Sequence, residues 1–176
     1  IRGLARMWQI DLDDERVVRL AQSLGADVAF FLHEVPSYLD GRGDVLRETF
    51  APFSVPVVLV KPDQGVSTGA CYRLLDEMAT PAPQVEPMLE ALRTRDVPSA
   101  LAAVANNMEP AALQLAPAIA EVFAFLQDSG ACQAGPLLCG SGSCVCAFVG
   151  DLAVAERLAA QAREHGWWAC ASTTLA

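Results

Sequence analysis

The sequence predicts an α+β fold in which helices pack on an antiparallel sheet to form two layers. Helical and strand patterns intermix along the chain without the regular alternation of a doubly wound parallel sheet. The chain has 176 residues, of which 53% are hydrophobic, so it is long enough and apolar enough to bury a real core. These observations exclude an intrinsically disordered chain.

The first 54 residues predict one helix followed by irregular structure. Apolar residues recur at helical spacing from Asp13 or Asp14 to Leu24, and Gly25 marks the end of this helix. Residues 28–32 (VAFFL) predict a short buried strand or a tightly packed turn. The many glycines and prolines of residues 33–54 predict loops with short strands.

The remainder of the chain, from residue 55, predicts the sheet and most of the helices. Residues 57–60 form a β-branched strand that Pro62 ends, and a helix capped by Ser67 or Thr68 extends to Met78. After a connector with three prolines, further elements follow in chain order: helices at 87–95, 98–105 and 110–128, a turn at 140–143, a strand at 144–149, a helix capped by Asp151, and a last strand at 167–175. Pro117 predicts a kink or a helix start within 110–128.

Charge and hydropathy limit the partners of this chain. Twelve Lys and Arg against 21 Asp and Glu give a net charge of −9, so the surface repels nucleic-acid backbones. One phosphorylated small molecule stays compatible with this charge, because a few backbone N–H groups and a single Arg suffice to bind it. No apolar run approaches the roughly 20 residues of a membrane-spanning helix, and no leader is apparent, so we expect a cytoplasmic protein.

The six cysteines are expected to be reduced and buried, since they lie mostly in apolar runs and form no CxxC pair. Cys139, Cys144 and Cys146 are close enough in sequence to suggest a soft-metal site. Residues two apart on a strand, however, simply share one face, so core packing is the favoured interpretation and no metal site is predicted.

Four segments could carry chemistry, and each also has a purely structural interpretation. Asp27, at the mouth of an apolar aromatic run, is either a general base or the cap of the next turn. The loop Gly140, Ser141, Gly142 and Ser143 is either an anion-binding loop or a tight turn. Tyr72 and Arg73 could stack on a base and meet a phosphate, or could belong to an ordinary amphipathic helix. Arg42, between Gly41 and Gly43, is an oxyanion ligand or part of a turn.

Taken together and in order, these segments resemble a known family. The motifs are GADVAFF at 25–31, GRGD at 41–44, VLVKP at 58–62, GVST at 65–68, NNME at 106–109 and GSGSC at 140–144. In this register they resemble the 4-diphosphocytidyl-2-C-methyl-D-erythritol kinases of the GHMP kinase superfamily. The chain departs from the family pattern at Ala29, where Pro is usual, and at Glu34 and Val35, where glycines are usual.

The resemblance implies an ATP- and Mg²⁺-dependent transfer of a phosphoryl group to the 2-hydroxyl of a cytidine-diphosphate-linked sugar alcohol in non-mevalonate isoprenoid synthesis. It implies that Asp27 is the catalytic base, that Tyr72 stacks on cytosine with Arg73 beside it, that Arg42 contacts substrate, and that Gly140 to Ser143 organise the phosphate and substrate site. Residues 1–54 would be a remnant of the N-terminal kinase lobe, and residues 55–176 the GHMP kinase C-terminal domain.

The family's glycine-rich ATP loop would precede the segment beginning at Leu4, and the sequence, which starts at Ile1, does not contain it. We therefore expect an inactive C-terminal portion of the kinase, with self-association through the apolar face that the missing lobe would cover. Two alternatives stay open: a noncatalytic module that binds a cytidine nucleotide through Tyr72 and Arg73, and a GHMP kinase for another alcohol.

Overall fold

The computed structural model describes residues 1–32, 35–43 and 45–174, and these divide into two compact units. The first unit ends at Pro52 and the second begins at Phe53. Three short helices and a two-stranded antiparallel sheet make up the first unit: α1 (Arg2–Trp8), α2 (Glu15–Leu24), α3 (Ala26–Phe30), β1 (Ser37–Asp40) and β2 (Val45–Thr49). His33, Glu34, Asp44 and Leu175, which the sequence motifs and the last predicted strand include, lie outside the described residues.

The second unit is an antiparallel sheet with helices packed on it, as predicted. Its elements in chain order are β3 (Pro56–Lys61), α4 (Thr68–Met78), α5 (Glu86–Thr94), α6 (Val97–Ala102), α7 (Glu109–Leu115), α8 (Ala118–Asp128), β4 (Leu137–Leu138), β5 (Val145–Phe148), α9 (Leu152–Glu164) and β6 (Trp168–Thr173). The strand order is β4-β5-β3-β6, and every neighbouring pair is antiparallel. Helices α8 and α9 contact the sheet.

Helix boundaries follow from capping residues and prolines. The side chains of Asp14, Ser67 and Asp151 each accept a hydrogen bond from an amide in the first turn of α2, α4 and α9. The predicted helix over 110–128 is two helices, and Pro117 stands at the start of the second, where its missing N–H costs nothing.

Residues 26–30 form a short helix, so the prediction of a strand or tight turn at 28–32 is wrong for most of this segment. The Phe31 amide donates to the Asp27 carbonyl oxygen at 3.4 Å, and the Leu32 amide donates to the Ala29 carbonyl oxygen at 3.1 Å. Phe30 and Phe31 are 43% and 63% exposed. A short apolar run does not by itself distinguish a buried strand from a helical turn, and here no described strand pairs with it.

The core of the second unit lies between the sheet and its helices. Strands β3 and β5 and helices α8 and α9 supply many of its fully buried side chains: Val58, Val60, Val145, Ala147, Ile119, Val122, Leu126, Ala155 and Ala162. Helices α4 and α7 add Cys71, Ala111 and Ala112. Alternate residues of β3 and β5 face this core, as the pleat of a strand requires. The opposite face of the same strands carries Lys61, Cys144 and Cys146.

The first unit has a small core and many exposed apolar side chains. Among its described residues, the buried cluster consists of Ala21, Ala29 and Leu32. Its exposed large apolar side chains include Leu4, Met7, Trp8, Leu20, Leu24 and Phe31. Self-association through this surface stays a prediction.

The thiols are less buried than the sequence indicates. Cys71 and Cys146 are buried, whereas Cys132, Cys139, Cys144 and Cys170 are half-buried, so the prediction of buried thiols is correct for two of the six. All six are free. Among the described residues, no helix has the length and apolar character needed to span a membrane.

Replacing Ile119 with Ala should lower the free energy of unfolding by about 2–5 kcal/mol, because the truncation leaves a cavity in a fully buried part of the core. Leu115→Ala is the matched control, since Leu115 is 37% exposed and its truncation should cost less than about 1 kcal/mol. Urea unfolding followed by circular dichroism measures both. Equal losses for the two variants would contradict the assigned core.

Candidate functional site

The loop from Gly140 to Ser143 joins β4 to β5 as a short hairpin connection. The Cys139 amide donates to the Cys144 carbonyl oxygen at 2.8 Å and closes the base of the loop, while the Gly142 amide donates to the Cys139 carbonyl oxygen at 3.0 Å. Gly140 and Gly142 have φ angles of 58° and 86°. These values fall in the left-handed region, which only glycine adopts without strain, and so explain two glycines at this spacing.

Gly142 also lies directly against the core. A Cβ atom at this position would stand 3.1 Å from Leu138 Cδ1 and 3.4 Å from Ile119 Cδ1. A side chain here would therefore displace the packing of β4 and α8. The loop backbone is held close to the core because it carries no side chain at this point.

Asn106 holds the loop from the other side through three hydrogen bonds. Its Nδ2 donates to the carbonyl oxygens of Leu138, at 2.9 Å, and Gly140, at 2.8 Å, and its Oδ1 accepts from the Met108 amide at 2.9 Å. One side chain therefore connects the start of α7 to β4 and to the first residue of the loop. The NNME motif includes Asn106, but no sequence signal predicts that it binds the loop. The two carbonyl groups that accept its hydrogen bonds lie 32 and 34 residues away in the sequence.

A pair of hydroxyl groups connects the loop to helix α4. Thr68 Oγ1 and Ser141 Oγ lie 2.9 Å apart, and either group can be the donor. Thr68 is the first residue of α4, whose N-terminal amides carry a partial positive charge. The glycine loop and a helix N-terminus thus meet, an arrangement that suits an anionic group.

Tyr72 and Arg73 lie one turn along α4 from this contact. Tyr72 is 55% exposed, so its ring is open to a planar ligand. The Arg73 side chain folds back towards the N-terminus of the helix, because its Nη1 would lie 3.6 Å from a Cβ atom at Gly69. The guanidinium therefore lies near the first turn of α4, which begins at the residue that contacts the loop.

Two further ionisable groups lie near the loop. Lys61, the one lysine in the sequence, ends β3 opposite Cys144. The Cys139 thiol and burial raise the pKa of the Cys144 thiol, and the Lys61 ammonium group opposes this only in part. Glu109 follows Asn106 and lines a cavity of about 480 Å³ with Asn107 and the prolines of the connector. Burial raises the pKa of the Glu109 carboxyl above its ordinary value.

Asp27 and Arg42 belong to the first unit. Asp27 lies in the first turn of α3 with an exposed side chain, and Phe30 and Phe31 are themselves exposed, so the described residues of this unit do not enclose the carboxylate in the apolar aromatic run. Arg42 lies at the tip of the β1–β2 hairpin, where the Gly43 amide donates to the Asp40 carbonyl oxygen at 3.1 Å. This position agrees with the turn interpretation of the segment, and the substrate role of Arg42 stays a prediction.

The structure therefore brings the Gly140–Ser143 loop together with Thr68, and places Tyr72 and Arg73 on the helix that Thr68 begins. Within the described ranges, no group of three or more His, Cys, Asp or Glu side chains is placed to hold a metal ion.

Asn106→Ala should lower the free energy of unfolding by about 1–3 kcal/mol, because it leaves partly buried carbonyl and amide groups without their partner. The loop amides should also exchange with solvent faster. Hydrogen-exchange mass spectrometry over residues 137–146 measures the local effect. The neighbouring variant Asn107→Ala should leave exchange in this segment unchanged, and an equal effect of both variants would refute the role of Asn106.

Comparison with known proteins gives a consistent result. The family model for the C-terminal part of GHMP kinases matches residues 88–166. A 4-diphosphocytidyl-2-C-methyl-D-erythritol kinase from Exiguobacterium sibiricum is 32% identical over 158 residues, which cover 90% of this chain and 54% of that protein. The kinase of the same name from Rhizobium johnstonii is 34% identical, with 99% of this chain and 57% of that protein covered.

A crystal structure of 4-(cytidine 5'-diphospho)-2C-methyl-D-erythritol kinase superposes on this chain with a TM-score of 0.76 at 31% sequence identity. The match covers 97% of this chain and 60% of that one. The chain thus spans a little over half the length of the proteins it matches. The resemblance seen in the sequence motifs and the predicted α+β class are both confirmed: residues 88–166 match the C-terminal part of GHMP kinases, and the chain is similar over most of its length to 4-diphosphocytidyl-2-C-methyl-D-erythritol kinases.

Proposed function

We propose that this chain is part of an ATP-dependent kinase that phosphorylates the 2-hydroxyl of 4-diphosphocytidyl-2-C-methyl-D-erythritol in non-mevalonate isoprenoid precursor synthesis. The observation that carries the proposal is the glycine loop held by Asn106 and joined to α4 through Ser141 and Thr68. The similarity to kinases of this name along most of the chain supports it.

Phosphoryl transfer depends on positioning the two substrates and on stabilising the charge around the phosphates. The backbone amides of the loop and of the first turn of α4 supply donors for phosphate oxygens without adding a net charge. Arg73 and Lys61 supply positive charge in an otherwise acidic chain. In this proposal they bind the diphosphate of the cytidine substrate.

The exposed ring of Tyr72 stacks on the cytosine base in this proposal, and Arg73 lies beside it. An aromatic ring on the first turns of a helix offers a flat surface at a low cost in conformational entropy. The helix that carries Tyr72 begins at the residue that contacts the loop, so in this proposal the cytosine base and the diphosphate bind next to each other along α4.

Asp27 acts as the general base in this proposal. Its exposed carboxylate accepts the proton of the substrate 2-hydroxyl while the oxygen attacks the γ-phosphorus of ATP, and the leaving group is ADP. Mg²⁺ normally neutralises phosphate charge in such reactions. Because the described residues contain no carboxylate cluster that could hold this ion, the proposal assigns no residue of the chain to it.

In the full-length protein, Asp27→Asn should lower kcat by roughly 10²- to 10⁴-fold with little change in the KM for ATP, because the amide cannot accept the hydroxyl proton. A coupled assay for ADP release measures both constants. Asp13→Asn, an exposed position in the same unit, is the control and should leave kcat unchanged. Unchanged turnover of the Asp27 variant would remove Asp27 from the mechanism.

The exposure of Tyr72 also suits the alternative of a noncatalytic module for cytidine nucleotides. In either case Tyr72→Ala should weaken cytidine diphosphate binding by about 1–3 kcal/mol, roughly 5- to 150-fold in Kd, and Tyr72→Phe should retain it. Isothermal titration calorimetry measures this, with Met78→Ala, another exposed position on α4, as the control.

Tight cytidine diphosphate binding by a full-length protein that releases no ADP would favour the module over the kinase. Turnover on a different alcohol, with none on the cytidine substrate, would favour a GHMP kinase of other specificity. Equal affinities of the Tyr72→Ala variant and the unsubstituted protein would refute base stacking in both cases.

A further inference from the structure

The base of the glycine loop is flanked by two cysteines that face each other across the hairpin. Strands β4 and β5 pair with Leu138 opposite Val145, so Cys139 lies opposite Cys144, and their backbones share a 2.8 Å hydrogen bond. Opposed residues in a hydrogen-bonded antiparallel pair have Cα atoms about 5.5 Å apart. This separation falls within the range of about 4.4–6.8 Å that a disulfide spans.

The side chains of the two cysteines point to the same face of the sheet. Opposed residues of neighbouring strands share a face, and so do residues two apart on one strand, which places Cys139, Cys144 and Cys146 on one face. This face is the one turned away from the core packed under α8 and α9, because the alternate residues Val145 and Ala147 belong to that core. The three thiols therefore form a contiguous group at the edge of the loop.

Only two of the three thiols are open to a reagent. Cys139 and Cys144 are half-buried, whereas Cys146 is buried. The other partly exposed cysteines, Cys132 and Cys170, lie outside the hairpin loop; Cys170 is separated from β5 by the whole width of β3. Cys139 and Cys144 are thus both accessible to a reagent and opposite each other.

The surroundings make the pair slow to react at neutral pH. The Cys144 thiol lowers the pKa of Cys139, but the Cys146 thiol and burial outweigh it and raise that pKa to about 12. The Cys139 thiol and burial raise the pKa of Cys144 as well. The Lys61 ammonium opposite Cys144 acts in the other direction and favours its thiolate. Because the thiolate is the reactive form, the rate of oxidation should rise with pH above neutrality.

We infer that Cys139 and Cys144 are a site of reversible oxidation, where a disulfide forms across the base of the Gly140–Ser143 loop. With a hydroperoxide as the oxidant, one thiolate attacks the peroxide and becomes a sulfenic acid, and the second thiol displaces water from that sulfur. In the case of hydrogen peroxide the two S–H groups are lost, the O–O bond breaks and two molecules of water are released. A dithiol reductant restores both thiols.

The disulfide would act on the loop directly. It closes a covalent ring that contains the four loop residues Gly140, Ser141, Gly142 and Ser143. The bond therefore reduces the conformational freedom of the backbone that carries the two left-handed glycines. The hydroxyl contact between Ser141 and Thr68 would change with it. This effect on ligand binding rests on the proposed function, whereas the formation of the bond does not.

The test is to treat the 176-residue chain with hydrogen peroxide at pH 8.5, unfold it, alkylate the remaining thiols and measure the intact mass. We expect two of the six thiols to escape alkylation, with the loss of two hydrogens, and dithiothreitol to restore all six. Fragment-ion mapping of the unsubstituted chain should place the bond between Cys139 and Cys144. Oxidation should be faster at pH 8.5 than at pH 7.

Cys139→Ser and Cys144→Ser should each abolish the disulfide, which is measured as the joint loss of two alkylatable thiols and two hydrogens. Cys170→Ser should retain this paired loss. A bond between Cys139 and Cys146, a paired loss that survives Cys144→Ser, or a gain of oxygen with no paired loss would each overturn the inference. None of these readouts depends on turnover or nucleotide binding. Failure of this inference and failure of the proposed function are therefore distinguishable.

Discussion

The hydrogen bonds of one amide side chain determine where the candidate site can be. Asn106 donates to a carbonyl of β4 and to a carbonyl of the loop, and it accepts from the amide that precedes α7. These three contacts connect parts of the chain more than 30 residues apart. Without them, the loop would keep its hairpin closure, the packing of Gly142 against the core and the hydroxyl contact with α4, but it would lose its connection to the start of α7.

The loop packs directly on the core, so the position of the loop depends on the same side chains that stabilise the second unit. Leu138 and Ile119 are fully buried and are also the side chains against which Gly142 lies. A change in the packing of α8 therefore shifts the side chains on which Gly142 rests. The central strand β3 contributes to the same arrangement, because it carries core side chains on one face and ends with Lys61 beside the loop base.

Local signals predicted much of this fold, because they depend on residues close in sequence. Asp14, Ser67 and Asp151 cap helices as their side-chain chemistry indicates, and Pro117 separates α7 from α8. The prediction of a strand or tight turn at 28–32 is wrong for most of that segment, because an apolar run of five residues has no period long enough to separate a strand from a helical turn.

The role of Asn106 was not predictable from the sequence, since nothing local records that its amide meets two carbonyls far along the chain. The residues assigned by family resemblance divide between the two units: the loop, Tyr72 and Arg73 belong to the second, while Asp27 and Arg42 belong to the first. The thiol pair was noted in the sequence as a cluster, but the opposed register that brings Cys139 to Cys144 appears only once β4 and β5 are paired.

The position of the single lysine has a practical consequence. Lys61 stands at the edge of β3 next to the loop base, and its side chain is exposed. Within these 176 residues, an amine-selective fluorophore would therefore attach to one side chain, that of Lys61. Its emission would report on the surroundings of the glycine loop without any engineered labelling position.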